Sequence, residues 1–183
     1  GAGLPGVDTT AVGRAGDFER ALQDAPDAVL SLPVVLGANK LSPTLRGFSR
    51  GSSEERYALV GAGSAPDAGK VASVGALDLL GRDGTNRFVR RLVNAQARVE
   101  RVTKIEDLLP LLQIQRVDAV LLPARLVGEL RAASRLPLVE RELELTVALP
   151  AVASTGPGGA ALLAAISKMP KDVSKLLGVE EWR

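Results

Sequence analysis

The chain has 183 residues and a mass of 19.1 kDa, enough for one ordinary domain or two small lobes. Hydrophobic residues make up 46% and charged residues 24%, which is typical of a globular protein and excludes a disordered one. His and Cys are absent, which excludes Cys or His zinc sites, thiol nucleophiles and histidine catalysis. The net charge is only +2, so it gives no indication of a nucleic-acid partner.

Strands and helices are predicted to alternate along most of the chain. The predicted strands are residues 7–12, 27–32, 57–61, 71–74, 99–103, 117–122 and 143–149. The predicted helices are residues 17–25, 85–95, 105–115, 125–133, 160–168 and 173–177. Segments rich in Gly, Ser, Pro and Asn predict loops at residues 37–53, 61–69 and 154–159. This alternation favours an α/β fold with a largely parallel sheet.

Two short segments have similar partners elsewhere in the chain. Residues 27–33 (DAVLSLP) are similar to residues 118–123 (DAVLLP), and each follows a predicted helix. Residues 57–61 (YALVG) are similar to residues 146–150 (TVALP), on either side of the middle segment. Two α/β lobes joined by two crossing strands would give this order. The alternative is chance similarity in a chain rich in Ala and Leu.

A basic stretch lies in the middle segment. It contains seven basic residues, opposed by Asp83 and Glu100, namely Arg82, Arg87, Arg90, Arg91, Arg98, Arg101 and Lys104. Such a stretch attracts an anion, or it forms the solvated face of a helix.

The order of motifs in the middle segment resembles a known family. The segments are KVASVG at 70–75, GTNRF at 84–88, VTKIEDLLPLL at 102–112, VDAV at 117–120 and residues 145–153. Together they resemble type 2 periplasmic binding proteins, and most closely the substrate-binding proteins of phosphate and phosphonate ABC transporters. The resemblance covers roughly residues 54–178. It implies a two-lobed α/β fold with mainly parallel sheets.

The resemblance also implies how the lobes divide the chain. Residues 1–61 plus 147–183 would form the first lobe, and residues 62–146 would form the second. The first lobe is expected to be truncated, because such proteins open with a strand and a helix for which the residues before Asp27 leave little room. Its sheet is then expected to have a short, charged, covered or partner-paired edge. Gly1–Gly6 does not have the character of a signal peptide.

The function implied by the resemblance is capture of a small anionic ligand between the lobes, for a membrane transporter or a sensor. The protein would then be periplasmic or exported, would not be an enzyme, and would use no cofactor or metal. No apolar run reaches the roughly 18 residues of a membrane span, so direct membrane insertion is not expected. The alternative is a non-transporting structural or interaction protein that kept the fold and lost the pocket.

The candidate ligand site is the predicted start of a helix at Gly84, Thr85 and Asn86. A helix N-terminus offers unpaired N–H groups and partial positive charge to an anion, and Arg82 and Arg87 would add charge. The alternative is ordinary helix capping, in which Asp83, Thr85 or Asn86 satisfies the first turn. The first lobe would contribute Ser31, and less directly Ser154, both of which follow predicted strands. Their alternatives are a small core residue for Ser31 and an ordinary polar loop for Ser154.

Other groups of polar residues do not indicate a catalytic or metal site. Glu106 and Asp107 suit the first turn of a helix, and Glu140, Glu142 and Glu144 share one face of a predicted strand. Neither a phosphate-binding loop motif nor a serine nucleophile elbow occurs. Trp182 is expected to cover the closing helices or, alternatively, to anchor a partner.

Overall fold

The computed structural model describes residues 6–183. The prediction that Gly1–Gly6 is not a signal peptide therefore concerns a segment whose first five residues lie outside the described part of the chain. The strands are β1 (Ala28–Ser31), β2 (Leu45–Phe48), β3 (Glu54–Ala62), β4 (Ser73–Leu77), β5 (Arg98–Val102), β6 (Ala119–Pro123), β7 (Leu138–Ala148), β8 (Ala151–Ser154) and β9 (Glu181–Trp182). The α-helices are α1 (Ala15–Gln23), α2 (Pro33–Ala38), α3 (Gly81–Leu92), α4 (Leu108–Gln113), α5 (Val127–Ala133), α6 (Gly159–Ile166) and α7 (Lys171–Leu176). Short 3-10 turns, Ile105–Asp107 and Ala124–Leu126, lead into α4 and α5.

The chain forms two compact units. Unit 1 contains Gly16–Glu55, Val147–Arg183 and the described residues up to Val12. Unit 2 contains Arg56–Thr146 together with Gly13–Ala15. The chain passes from one unit to the other within β3 and returns within β7. These two strands are neighbours in one sheet, as the similarity of their sequences predicted.

Unit 1 is built on a four-stranded sheet in the order β1-β8-β2-β9. Each of its pairings is antiparallel: β8 runs against both β1 and β2, and β9 runs against β2. Alternate residues of β8 enter separate clusters: Ala151 and Ala153 pack with Leu36, while Val152 packs with Ile166 and Trp182. Both faces of this sheet are therefore covered by apolar side chains.

Unit 2 is built on a five-stranded sheet in the order β5-β4-β6-β3-β7. Strand β4 is parallel to β5 and β6, whereas β3 is antiparallel to β6. The buried core joins Val60 and Val120 of the sheet to Leu108, Leu112 and Leu130 of the helices. The predicted α/β fold is confirmed, but the sheets are not mainly parallel. Every described pairing in unit 1 is antiparallel, and in unit 2 the crossing strand β3 runs against β6.

Several predicted elements differ in the structure. Residues 7–12 form no strand, although Val and Thr favour extended backbone, because no neighbouring strand pairs with them. The predicted loop 37–53 contains β2, and the C-terminal Glu181–Trp182 forms a strand that the sequence pattern missed. Among residues 6–183, no helix is long and apolar enough to cross a membrane.

Candidate functional site

The turn that links β4 to α3 in unit 2 is the candidate site. Strands β4, β5 and β6 are parallel, so their carboxyl ends share one edge of the sheet, which is where ligands bind in open α/β sheets. Asp78 follows β4 directly, and its N–H donates to the carbonyl of Val102 at the end of β5. Residues 78–80 connect this edge to α3, and we call them, together with the first helical turn at residues 81–84, the β4–α3 turn.

Helix α3 begins at Gly81, not near Thr85 as the sequence pattern predicted. Thr85 lies in the second turn and is fully buried. Its hydroxyl accepts the N–H of Leu80 at 3.0 Å and donates to Asp78 Oδ1 at 3.0 Å. Both functions of the hydroxyl are used inside the protein, so Thr85 positions the β4–α3 turn.

An ion pair holds the other side of Asp78. Its Oδ2 accepts a hydrogen bond from Arg101 of β5 at 2.8 Å, and both side chains are less than one-quarter exposed. Charge-assisted hydrogen bonds are stronger than neutral ones, and partial burial reduces their screening by solvent. The hydrogen bonds that join Thr85, Asp78 and Arg101 therefore fix the turn to the sheet. They also occupy Arg101, one of the basic residues that could have attracted an anion.

The first turn of α3 has no side-chain cap, although the sequence offered Asp83, Thr85 and Asn86 as caps. Its leading N–H groups are thus left for water or an anion. Arg82 lies in this turn and is exposed, and Arg87 is exposed further along the helix. The uncapped turn and Arg82 are the parts of the predicted site that the structure brings together.

Gly84 and Asn86 have roles that follow from their neighbours. A Cβ on Gly84 would lie 2.6 Å from the Cβ of Leu80, so only glycine allows this close approach between the turn and the helix. Asn86 is partly buried, and its Oδ1 is buried without a hydrogen-bond partner in the described part of the chain. An unsatisfied amide oxygen of this kind is a feature of α3 that the sequence did not indicate.

The rest of the basic stretch is largely engaged. Arg90 donates to the carbonyl of Ala97 at 3.1 Å. Arg98 pairs with Glu100 at 2.6 Å and donates to the carbonyl of Arg116 at 2.8 Å. These contacts lie within unit 2 itself. The alternative was the solvated face of one helix, but Arg98 and Arg101 lie on β5 instead.

Ser31 and Ser154 both lie in unit 1, at opposite ends of one strand pair. Ser31 stands opposite Ala151, whereas Ser154 stands opposite Ala28. Three residues of strand separate the two positions, which corresponds to about 10 Å. The structure therefore does not bring these two predicted residues into one site.

Ser154 belongs instead to the loop that opens α6. The carboxylate of Asp27 accepts the N–H of Gly158 at 2.8 Å, and the Asp27 carbonyl accepts N–H groups from Thr155 and Gly156. A side chain on Gly159 would overlap the hydroxyl of Ser154. An internal carboxylate thus already accepts the backbone N–H of Gly158, directly before α6.

Two of the three glutamates that share one face of β7 form ion pairs with arginines. Glu140 pairs with Arg131 and Glu142 with Arg56, each at 3.1 Å on the exposed face of β7. The residues from Gly6 to Arg183 contain no group of three side chains that could hold a metal ion. Trp182 is buried, and its Nε1 donates to Ser174 of α7 at 3.3 Å, so it covers the closing helices.

Comparison with known proteins gives structural neighbours only. No family model matches the chain, and no curated protein sequence matches it significantly. The substrate-binding protein of an amino acid ABC transporter is similar to 92% of this chain, with 13% identity and a TM-score of 0.60. The periplasmic aliphatic sulphonate binding protein SsuA from Escherichia coli matches 86%, with 14% identity and a TM-score of 0.58. The periplasmic VFT2 domain of Bordetella pertussis BvgS matches 90%, with 14% identity and a TM-score of 0.56.

These likenesses define a class of fold. The α/β fold of the chain is that of two-lobed periplasmic binding proteins. The chain spans 74%, 60% and 72% of the amino acid, sulphonate and BvgS neighbours respectively. At such identities the likeness establishes the fold and not a ligand.

Proposed function

We propose that the chain is a solute-binding module, not an enzyme, which binds a small anionic ligand and presents it to a membrane transporter or a sensor outside the cytoplasm. The observation that carries this proposal is the uncapped N-terminus of α3 at the carboxyl edge of parallel strands. The fold is shared with the substrate-binding protein of an amino acid transporter and with an aliphatic sulphonate binding protein, which supports a binding role.

The ligand would be held by the leading N–H groups of α3 and by Arg82. The helix N-terminus carries partial positive charge, and the Arg82 side chain is exposed beside it, so both favour a phosphate, phosphonate, sulfonate or carboxylate. Thr85, Asp78 and Arg101 would hold the turn in a fixed geometry, which reduces the ordering cost of binding. This proposal assigns no ligand contact to four of the predicted site residues, namely Ser31, Ser154, Asn86 and Arg87.

A thermal-shift titration tests the proposal. Phosphate, methylphosphonate, sulfate, methanesulfonate and acetate are each added to the full chain at millimolar concentration. A ligand at a hundredfold excess over its Kd stabilises the folded state by about 2.7 kcal/mol, which raises Tm by several degrees. Arg82→Gln is expected to reduce the shift, whereas Arg91→Gln, in the last turn of the same helix, leaves it unchanged.

The second candidate is an interaction protein that kept the fold without a ligand pocket. The observation that favours it is the internal use of a predicted ligand contact: the Thr85 hydroxyl is fully engaged by Leu80 and Asp78. If none of the anions raises Tm, this candidate replaces the first. If the shift is equal in wild type and Arg82→Gln, the chain binds anions, but not at the β4–α3 turn.

A further inference from the structure

Unit 1 contains a groove of about 600 Å³ beside the outer edge of its sheet. Strand β1 lines it in the middle, α1 lines one side, and α6 and α7 line the other. Residues 7–12 also line the groove, as coil that does not pair with β1. The groove is therefore a slot between two helical layers, open along the edge of a strand.

The backbone of β1 offers hydrogen bonds into this slot. Asp27 accepts the N–H of Thr155 at 2.9 Å, which sets the alternation of the β1–β8 ladder. In an antiparallel pair, every second residue bonds to the partner strand. Val29 and Ser31 therefore bond to β8, and the N–H and C=O groups of Ala28 and Leu30 point away from β8. Because β1 is the outermost strand, these groups have no strand partner among the described residues.

The two walls of the slot are both apolar. Val29 packs with Phe18 and Leu22 of α1, on one face of the sheet. Leu30 faces the other way and packs in the cluster that contains Ile166 and Met169. An added strand at this edge would thus have apolar surroundings on both faces, which suits a continuous run of aliphatic side chains rather than an alternating one.

The helices show that this surface is incompletely covered. Helix α1 is amphipathic, yet none of its residues is buried. Helix α6 has no charged residue, yet only Gly159 and Ile166 are buried within it. A helix without a polar face is normally covered on most sides. Leu162 of α6 and Ala21 of α1 instead line the groove, half-buried.

The charges at the groove have one sign. Asp8 and Asp24 are the charged residues of its lining, and both are acidic. These charges favour binding of a segment in which a basic residue lies next to a run of aliphatic residues.

We propose that the edge of β1 binds an extended strand from a partner protein. That strand would hydrogen-bond to Ala28 and Leu30, place aliphatic side chains against α1 on one face and against α6 and α7 on the other, and pair a basic residue with Asp8 or Asp24. Strand addition of this kind draws affinity from main-chain hydrogen bonds and specificity from side-chain pockets. It is independent of anion binding at the β4–α3 turn.

The experiment is a fluorescence-polarisation titration of the full chain with a labelled synthetic peptide, acetyl-KVIVAV-amide. We expect saturable binding. The matched control is the same peptide with alternate amides N-methylated on the edge that faces β1, which removes donors without changing the side chains. We expect this peptide to lose at least about tenfold in affinity, as loss of two hydrogen bonds of about 1 kcal/mol each predicts.

Variants of the chain locate the site. Ala28→Pro removes an N–H that faces the slot and keeps the β8 ladder, and proline is tolerated at the first residue of an edge strand. It is expected to weaken peptide binding about fivefold or more with little change in Tm, because one hydrogen bond to the peptide is lost. Asp24→Asn should weaken binding of the lysine peptide about threefold at low salt, whereas Asp17→Asn, whose carboxylate pairs with Arg20 away from the groove, should not.

Three results would overturn the proposal. The first is no binding of the parent peptide up to its solubility limit. The second is equal affinity for the N-methylated peptide, because a strand cannot then be the bound form; this comparison needs no variant to fold. The third is a dimer in light scattering that Ala28→Pro converts to a monomer, because the occupant of the edge would then be a second copy of the chain.

Discussion

The carboxylate of Asp27 accepts the backbone N–H of Gly158 at 2.8 Å, across 131 positions of sequence. Asp118, at the matching position of the other DAV segment, accepts N–H groups from Ala72 and Ser73 at 3.1 and 2.8 Å. Each aspartate precedes a strand, β1 or β6, and ties a distant segment of its own unit to the start of that strand. The similarity seen in the sequence thus corresponds to a shared structural role within each unit.

Asp27→Ala is expected to destabilise unit 1 by about 1–2 kcal/mol, because the N–H of Gly158 loses its charged acceptor. Asp27→Asn keeps an oxygen acceptor and is expected to lose less. Urea unfolding followed by the fluorescence of Trp182, the single tryptophan and a core residue of unit 1, measures the difference. Asp24→Ala, a nearby acid that does not hold this loop, is the control, and an equal loss in both alanine variants would contradict the assignment.

Thr85→Val is expected to cost about 1–3 kcal/mol, because Asp78 loses a donor and the N–H of Leu80 loses its acceptor in a buried environment. Thr85→Ser keeps the hydroxyl and should lose only the smaller packing contribution of the methyl group. Chemical denaturation of both variants gives the comparison. If Thr85→Val and Thr85→Ser have the same free energy of unfolding, the hydroxyl does not hold the β4–α3 turn.

Gly75→Ala is expected to destabilise unit 2 by about 1–3 kcal/mol through overpacking. A Cβ at this position would lie 3.0 Å from Leu111 Cδ1 and 3.1 Å from Val120 Cγ1; Val120 is fully buried and Leu111 packs against the same core. Shortening a neighbour, in Gly75→Ala/Leu111→Val, should recover part of the loss. Gly128→Ala on α5, where a Cβ meets nothing within 4 Å, is the matched control and should stabilise by up to about 1 kcal/mol. A loss at both glycines would show that the effect is not steric.

The hydrogen bond from Arg183 lowers the pKa of Glu181 below its ordinary value, and the charge of Arg183 acts in the same direction. A lowered pKa in the folded state gives stability that is present above the unfolded pKa and is lost as the pH falls through the folded pKa. Because Glu181 is exposed, NMR titration of its carboxyl carbon is the suitable measurement. Arg183→Ala should raise the pKa of Glu181 toward its ordinary value, and an unchanged titration curve would contradict the contact.

The sequence by itself predicted most of the alternation of elements and indicated that the crossing strands β3 and β7 are neighbours. Runs such as residues 57–61 and 118–122 are largely apolar, so they had to be buried on both faces wherever the chain placed them. The absence of His and Cys likewise excludes whole classes of chemistry, whatever fold the chain adopts. Local composition is sufficient for these conclusions because burial and side-chain chemistry are properties of single segments.

Only the tertiary structure decided strand direction and the roles of the polar residues. Direction in the sheet of unit 1 depends on β8, which arrives from a distant part of the sequence and runs against both β1 and β2. Thr85 was predicted to face a ligand, but its hydroxyl is taken by Asp78 and Leu80 once α3 begins at Gly81. Hydrogen-bond partners separated along the chain are set by packing, so a sequence shows which groups can donate or accept but not which of them remain free.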